Sequence, residues 1–118
     1  MYSELELGGQ VYPIKFGINA VRLYCNKFDI TLSKIGKFFA EENLTLDSVL
    51  YLALYGLKDG HRVAKVAGAF TLTVEDIADF MDEDPDLPQK VISTFTEQFD
   101  SKKKGSQMKQ KTKRKGKS

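Results

Sequence analysis

Few side chains in this sequence have the type and spacing that catalysis requires. Cys25 is the one cysteine and His61 the one histidine among the 118 residues, and they lie far apart in the chain. A nucleophilic thiol needs a nearby base or positive charge to hold it as the thiolate, and nothing in the sequence sets up that pair. Since Cys25 stands among apolar residues, we interpret it as a small buried hydrophobe. His61 has no neighbouring ligand residues and is interpreted as a surface or loop histidine.

An acidic run is the second chemical feature of the sequence. It spans Asp82–Asp86, and Asp76 and Asp79 lie just before it. A helix–loop–helix calcium site needs a central glycine and a glutamate at its twelfth position, and this run has neither. We interpret the acids as stabilising the start of the last helix, with a docking patch for a basic partner as the alternative. With no glycine-rich nucleotide fingerprint either, the sequence predicts no metal, no cofactor and no enzyme activity.

The charges divide the chain in two. Residues 1–100 carry nine Lys or Arg and sixteen Asp or Glu, a net charge of −7, whereas residues 101–118 carry nine Lys or Arg and no acid, a net charge of +9. The second segment holds too little apolar surface to offset the loss of chain entropy on folding. We therefore expect a disordered tail whose cations are Lys102, Lys103, Lys104, Lys109, Lys111, Lys113, Arg114, Lys115 and Lys117.

The remaining composition predicts one domain inside the cell. A chain that is 42% hydrophobic can bury a core at this length without a metal or a disulfide. The first residues show no basic region followed by an apolar core, so we expect no secretory signal. The longest uncharged apolar stretch, residues 48–57, is far shorter than the ~20 residues of a membrane span. We expect a cytoplasmic protein.

Periodicity predicts a mainly α domain over residues 1–100, with a short N-terminal β-hairpin and about five helices. The hairpin covers about residues 2–16 and turns at Gly8-Gly9, where both residues can adopt positive φ. Pro13 places its second strand at an edge or a bulge. Helices are predicted from the apolar spacing over residues 18–28, 33–42, 46–57, from Thr73 onward, and 86–99. We expect Asn19, Thr45 and Thr73 to cap the first, third and fourth of these helices, and Ile18 and Leu46 to lie on their apolar faces. Lys58-Asp59-Gly60 is interpreted as a break, and residues 58–70 are left unassigned.

The helix over residues 46–57 is apolar around most of its circumference, which is typical of a central buried helix. Part of that surface is alternatively an exposed groove for an apolar partner helix. Because large aromatic side chains often anchor interfaces, the candidate contact residues are Phe39, Tyr51 and Tyr55, although each is equally suited to the core.

The order of these features resembles a known family. Tyr-Pro-Ile-Lys-Phe-Gly-Ile-Asn-Ala (12–20) follows the hairpin, and Leu-Thr-Leu-Asp-Ser-Val-Leu-Tyr-Leu-Ala-Leu-Tyr-Gly-Leu (44–57) forms the central helix. Then come Phe-Thr-Leu-Thr-Val-Glu-Asp-Ile-Ala-Asp-Phe-Met-Asp-Glu-Asp-Pro (70–85) and Ile-Ser-Thr-Phe-Thr-Glu-Gln-Phe (92–99). Over roughly residues 10–100 the chain is similar to the tail assembly chaperones of long-tailed bacteriophages, prophages and gene-transfer-agent relatives.

The resemblance implies a small helical protein that binds the long, helical tape measure protein and keeps it soluble while the tail tube polymerises. It also implies absence from the finished virion and no catalytic residues. Many members have a second, longer product made by ribosomal frameshifting near the end of the gene. Lys102-Lys103-Lys104 could be encoded by a run of adenines suited to such slippage, which is a hypothesis about the gene.

Two other functions fit the residues without the resemblance. The basic tail would bind nucleic acid through counterion release, without reading its sequence, because it has no aromatic residue on which bases could stack. The domain would alternatively act as an interaction module that self-associates through the hairpin edge or the aromatic side chains.

Overall fold

The computed structural model describes residues 2–35 and 45–111, with side chains as far as Phe99. Within these residues a two-stranded hairpin packs on a group of helices, as the sequence predicts. The strands are β1 (Ser3–Leu7) and β2 (Gln10–Ile14). The helices are α1 (Ile18–Phe28), a short 3-10 helix (Leu32–Lys34), α2 (Leu46–Val63), α3 (Val74–Glu83) and α4 (Leu87–Lys111).

The hairpin follows from its two-glycine turn. Gly8 and Gly9 have φ of 60° and 83°, the left-handed values that a two-residue turn matching the strand twist requires. The strands pair antiparallel, with Leu5 opposite Tyr12 and Ser3 opposite Ile14. Since side chains alternate between the faces of a strand, this register turns Leu5 and Ile14 toward the helices, where both are buried.

The second strand lies directly on the backbone of α2. The amide of Lys15 donates to the carbonyl of Gly56 over 2.9 Å. A Cβ at Gly56 would lie 2.5 Å from Cε1 of the Phe16 ring, and one at Gly60 would lie 2.7 Å from the backbone nitrogen of Ile14. Carbon atoms do not approach neighbours this closely, so the two glycines, one helical turn apart, permit a contact that no other residue allows.

Gln98 of α4 connects the hairpin to the last helix. Its Nε2 donates to the Ser3 hydroxyl over 3.1 Å and to the Ile14 carbonyl over 3.2 Å. Its Oε1 accepts from the amide of Phe16 over 2.7 Å. One amide side chain therefore satisfies polar groups on both strands and on the segment that follows them, a role that no pattern in the sequence indicates.

The helix starts agree with the sequence at two places and differ at one. The Thr45 hydroxyl accepts from the amide of Ser48 at the start of α2. At the start of α3, Thr73 and Asp76 form a reciprocal capping box, with distances of 3.2 and 2.9 Å. The expectation that Asn19 caps α1 was wrong, because α1 begins after Gly17 and no side chain caps it.

Helix α2 is the centre of the core, since it contacts β2, α1, α3 and α4. Its buried apolar residues are Val49, Leu50, Leu52, Ala53 and Leu57. All of these except Val49 belong to one core cluster with residues of β1, β2, α1, α3 and α4, including Leu5, Ile14, Tyr24, Ile77, Val91 and Phe95. None of the helices in the described part of the chain is long and apolar enough to cross a membrane.

Two predicted inward-facing residues are instead exposed. Ile18 is 65% exposed and Leu46 is 66% exposed. Each is the first residue of its helix. Apolar periodicity identifies the face of a helix that is buried. It does not indicate how far along that face the neighbouring elements extend, so the first residue of a helix can be exposed although it lies on the apolar face.

Helix boundaries differ from the prediction at two places. The expected break at Lys58-Asp59-Gly60 was wrong, because α2 continues to Val63 and Gly60 serves the strand contact instead. The last helix, expected to end at residue 99, continues to Lys111, so its end does not coincide with the predicted start of the disordered tail at residue 101. Residues 112–118, and most of the helix predicted over residues 33–42, lie outside the described residues.

The close approach of β2 to α2 predicts that a glycine-to-alanine substitution in α2 lowers the stability of the protein. Replacing glycine by alanine inside a helix ordinarily stabilises it by roughly 0.5–1 kcal/mol. We expect Gly60→Ala to destabilise the protein by about 2–3 kcal/mol, because the added methyl group meets the backbone of Pro13 and Ile14 and a backbone segment cannot move aside cheaply. Urea unfolding followed by circular dichroism measures the change.

Lys58→Ala is the matched control, since Lys58 is an exposed residue of the same helix and its change should fall within about 0.5 kcal/mol of zero. A Gly60→Ala protein as stable as the unmodified protein would contradict the described contact between β2 and α2.

Candidate partner-binding surface

Two of the three predicted contact residues lie together on α2, and the third is not described. Tyr51 and Tyr55 are one helical turn apart and both are half-buried. Their ring centroids are 5.8 Å apart with an interplanar angle of 41°. Phe39 lies outside the described residues. The tyrosines thus belong both to the edge of the core and to the surface, which combines the two alternatives that the sequence left open.

The tyrosine pair extends onto α1 as a row of aromatic rings. The Phe28 ring meets Tyr51 edge-on, with centroids 6.0 Å apart, and Phe28 also contacts Tyr24 at 4.9 Å. Tyr24 is fully buried, whereas Phe28, Tyr51 and Tyr55 are half-buried. We call these four residues the aromatic row. Its edge-to-face and tilted geometries are the favourable ones for ring quadrupoles, so the row is held in place before any partner binds.

A lysine lies over one of the inner rings of this row. The Nζ of Lys27 lies 4.4 Å from the centroid of the Tyr51 ring, a cation–π contact worth roughly 0.5–1 kcal/mol where water has access. Burial raises the pKa of the Tyr55 hydroxyl, and the charge of Lys27 opposes part of that shift. Tyr55 is therefore neutral at physiological pH and offers an apolar ring together with a hydroxyl group.

A groove runs beside the row between α1 and α2. It has a volume of about 390 Å³ and is closed at one side by Phe70, which follows α2. Its mainly apolar floor includes Ala20, Leu23 and Tyr55. We call it the α1–α2 groove. Four of its ten described lining residues come from α1 and five from α2, of which Tyr55 is the one that belongs to the apolar surface discussed for that helix.

His61 holds the far wall of the groove. Its Nε2 lies 2.8 Å from the carbonyl oxygen of Gly68, and its ring meets Phe70 edge-on with centroids 5.5 Å apart. The sequence interpretation of His61 as a surface or loop histidine missed this role. These two contacts hold the segment between α2 and α3 against α2. Both rings, His61 and Phe70, line the groove on that side.

The rim of the groove carries most of its charge. Arg22, Lys58 and Arg62 all line it. Oδ1 of Asp59 accepts from Nε and Nη2 of Arg62, at 3.1 and 2.6 Å. Asp59 is only 5% exposed, and its Oδ2 has no hydrogen-bond partner among the described residues. Since a buried carboxylate is costly unless paired, the guanidinium of Arg62 is held firmly at the edge of the groove.

The acidic run acts within its own segment, as the sequence interpretation proposed. Oδ1 of Asp84 accepts from the amide of Asp86 over 3.1 Å, and Oδ2 accepts from Nζ of Lys90 over 3.0 Å. The hydrogen bond from Lys90 lowers the pKa of Asp84. These contacts bridge the turn from α3 into α4. No group of three potential metal ligands comes together in the described residues.

The two remaining sequence candidates give no site. Cys25 is half-buried and packs against the core, and burial raises the pKa of its thiol, which is the opposite of what a nucleophile needs. The predicted basic tail falls on the end of α4, whose side chains are not described, and on residues outside the described part of the chain. Its proposed role therefore stays a prediction.

Comparisons of the chain with protein family models, with curated proteins and with solved structures found no match.

The buried end of the aromatic row predicts a loss of stability at high pH. Burial raises the pKa of Tyr24 from 10.0 to about 12, and the neighbouring Ser48 hydroxyl opposes part of this shift. As the pH rises above 10 the unfolded chain loses this proton first, so the folded state is progressively disfavoured until the pH passes about 12. At about pH 11.5 this effect lowers the free energy of unfolding by roughly 2 kcal/mol.

Urea unfolding at about pH 9 and pH 11.5 tests this prediction against a Tyr24→Phe variant. The variant should lose about 2 kcal/mol less stability over this interval than the unmodified protein. Tyr2→Phe, which changes an exposed tyrosine, should behave like the unmodified protein. Equal losses in the Tyr24→Phe variant and the unmodified protein would show that Tyr24 ionises as easily in the folded state as in the unfolded one.

Proposed function

We propose that this protein is a tail assembly chaperone of a long-tailed bacteriophage or prophage, which binds the tape measure protein in the host cytoplasm and is absent from the finished virion. One observation supports this proposal above the others: the aromatic row and the α1–α2 groove form a preformed, largely apolar surface on a helical domain. The sequence resemblance over roughly residues 10–100 supplies the identity of the client.

The physical requirement on such a chaperone is to cover apolar helix faces before the client assembles. An amphipathic helix buries its apolar stripe in a groove through residues spaced three and four apart. Half-buried tyrosines suit this task, because they present large apolar surface while a hydroxyl group remains hydrated. Binding lowers the concentration of free, aggregation-prone client by mass action, and this role requires no catalytic residue.

Co-expression with the tape measure protein encoded beside this gene tests the function. We expect the unmodified chain to keep the tape measure protein in the soluble fraction. The double variant Tyr51→Lys/Tyr55→Lys should leave it in the pellet, because two charges then stand where apolar contact is required. Tyr2→Lys is the matched control: Tyr2 is 42% exposed and lies outside the surface, so this variant should protect the client fully.

Three outcomes separate the parts of the proposal. An aggregated tape measure protein in the presence of the unmodified chain would overturn the function. Full protection by a folded Tyr51→Lys/Tyr55→Lys variant would leave the function standing and reject the surface. Apolar binding should largely survive added salt, whereas binding through the basic tail to nucleic acid would fall steeply with salt.

A further inference from the structure

The α1–α2 groove combines an apolar floor with a positive rim, and that rim stands out against the rest of the domain. Residues 1–100 have a net charge of −7, so the domain as a whole repels acidic partners. Three of its nine Lys or Arg residues, Arg22, Lys58 and Arg62, line this one groove. A concave site whose lining carries net positive charge attracts anionic groups.

The three cations are placed on both sides of the groove. Lys58 and Arg62 are four residues apart in α2, so they share one face of that helix, and Arg22 comes from α1 on the opposite side. Among the described residues, Asp59 is the only carboxylate in the lining, and it already accepts hydrogen bonds from Arg62. Since Asp59 offsets the charge of Arg62, the positive charge of the described lining comes mainly from Arg22 and Lys58.

From this arrangement we infer that the α1–α2 groove binds an amphipathic helix whose apolar stripe is flanked by Asp or Glu residues. The apolar stripe of that helix lies on the half-buried Leu23 and Tyr55, and its flanking carboxylates pair with Arg22 on one side and Lys58 on the other. This inference rests on the proposed function in one respect, namely that the helix bound in the groove belongs to the tape measure protein. It adds to that function the negative charge that the bound segment must carry.

The length of the groove sets the length of the bound segment. The wall runs along α2 from Tyr55 to Arg62, seven residue steps or about 10 Å at the helical rise of 1.5 Å per residue. Two turns of a partner helix cover this distance and present apolar side chains at positions i, i+3, i+4 and i+7. Carboxylates on either side of that stripe then face α1 and α2, respectively.

Two synthetic helical peptides provide the test with the full-length chain. Both carry leucine at positions i, i+3, i+4 and i+7; one has glutamate on both flanks of this stripe and the other has lysine. Fluorescence anisotropy measures their dissociation constants at low salt. We expect the glutamate peptide to bind roughly tenfold more tightly, since several exposed ion pairs each contribute a small factor, and the preference should shrink as salt is added.

Charge reversal identifies the groove as the source of the preference. In Arg22→Glu/Lys58→Glu the lysine peptide should become the tighter ligand. The matched control is Lys34→Glu/Lys65→Glu, which changes the net charge by the same amount at exposed residues that do not line the groove and leaves the basic tail unaltered. This control should retain most of the preference for glutamate, and the exchange of preference in the groove variant shows that the variant is folded.

The inference is overturned if the unmodified chain binds the two peptides within twofold of each other or binds neither. It is also overturned if the control variant shifts the preference as far as the groove variant does. Failure of the proposed function is a separate result: the peptide preference would then hold while the tape measure protein aggregates in the presence of the chain. A client that stays soluble without any peptide preference would reject the inference alone.

Discussion

The domain depends on one close contact, in which β2 lies on the backbone of α2 at Gly56 and Gly60. Isolated two-stranded hairpins are only marginally stable in water, so this one needs a surface to pack on. The absence of side chains at two successive turns of α2 lets the strand come near enough for the amide of Lys15 to bond the carbonyl of Gly56. Other residues then seal the contact, with Phe16 packed over Gly56 and Gln98 bonded to both strands.

That contact also determines which part of α2 remains for a partner. Strand β2 occupies the face of α2 that carries the glycines, and the buried leucines meet the other helices. Tyr51, Tyr55, Lys58 and Arg62 are left toward α1 and the surface, beside the groove. A helix that is apolar on most of its circumference is thus covered by the domain on most sides, and the remaining strip gives the candidate surface its shape.

The sequence predicted the features that depend on local chemistry. A pair of glycines between alternating residues indicated the hairpin turn, and hydroxyl side chains before apolar runs indicated the starts of α2 and α3; the described contacts of Thr45 and Thr73 confirm both caps. Local signals failed at Asp59-Gly60, where residue types typical of a helix end stand inside a helix. There the glycine leaves room for the backbone of β2, which is distant in sequence, and the aspartate pairs with Arg62 within the same helix.

The candidate site was predictable only in part, for the same physical reason. Tyr51 and Tyr55 could be chosen because both belong to one apolar helix, but their neighbours Phe28 and Arg22 come from α1. Which residues of two helices face each other is determined by their crossing geometry, and periodicity within one helix does not encode it. The positive rim exists only when Arg22 meets Lys58 and Arg62 across that crossing. The charge preference that we infer for the groove is consequently a property of the tertiary structure, even in a chain whose overall charge split is plain from its sequence.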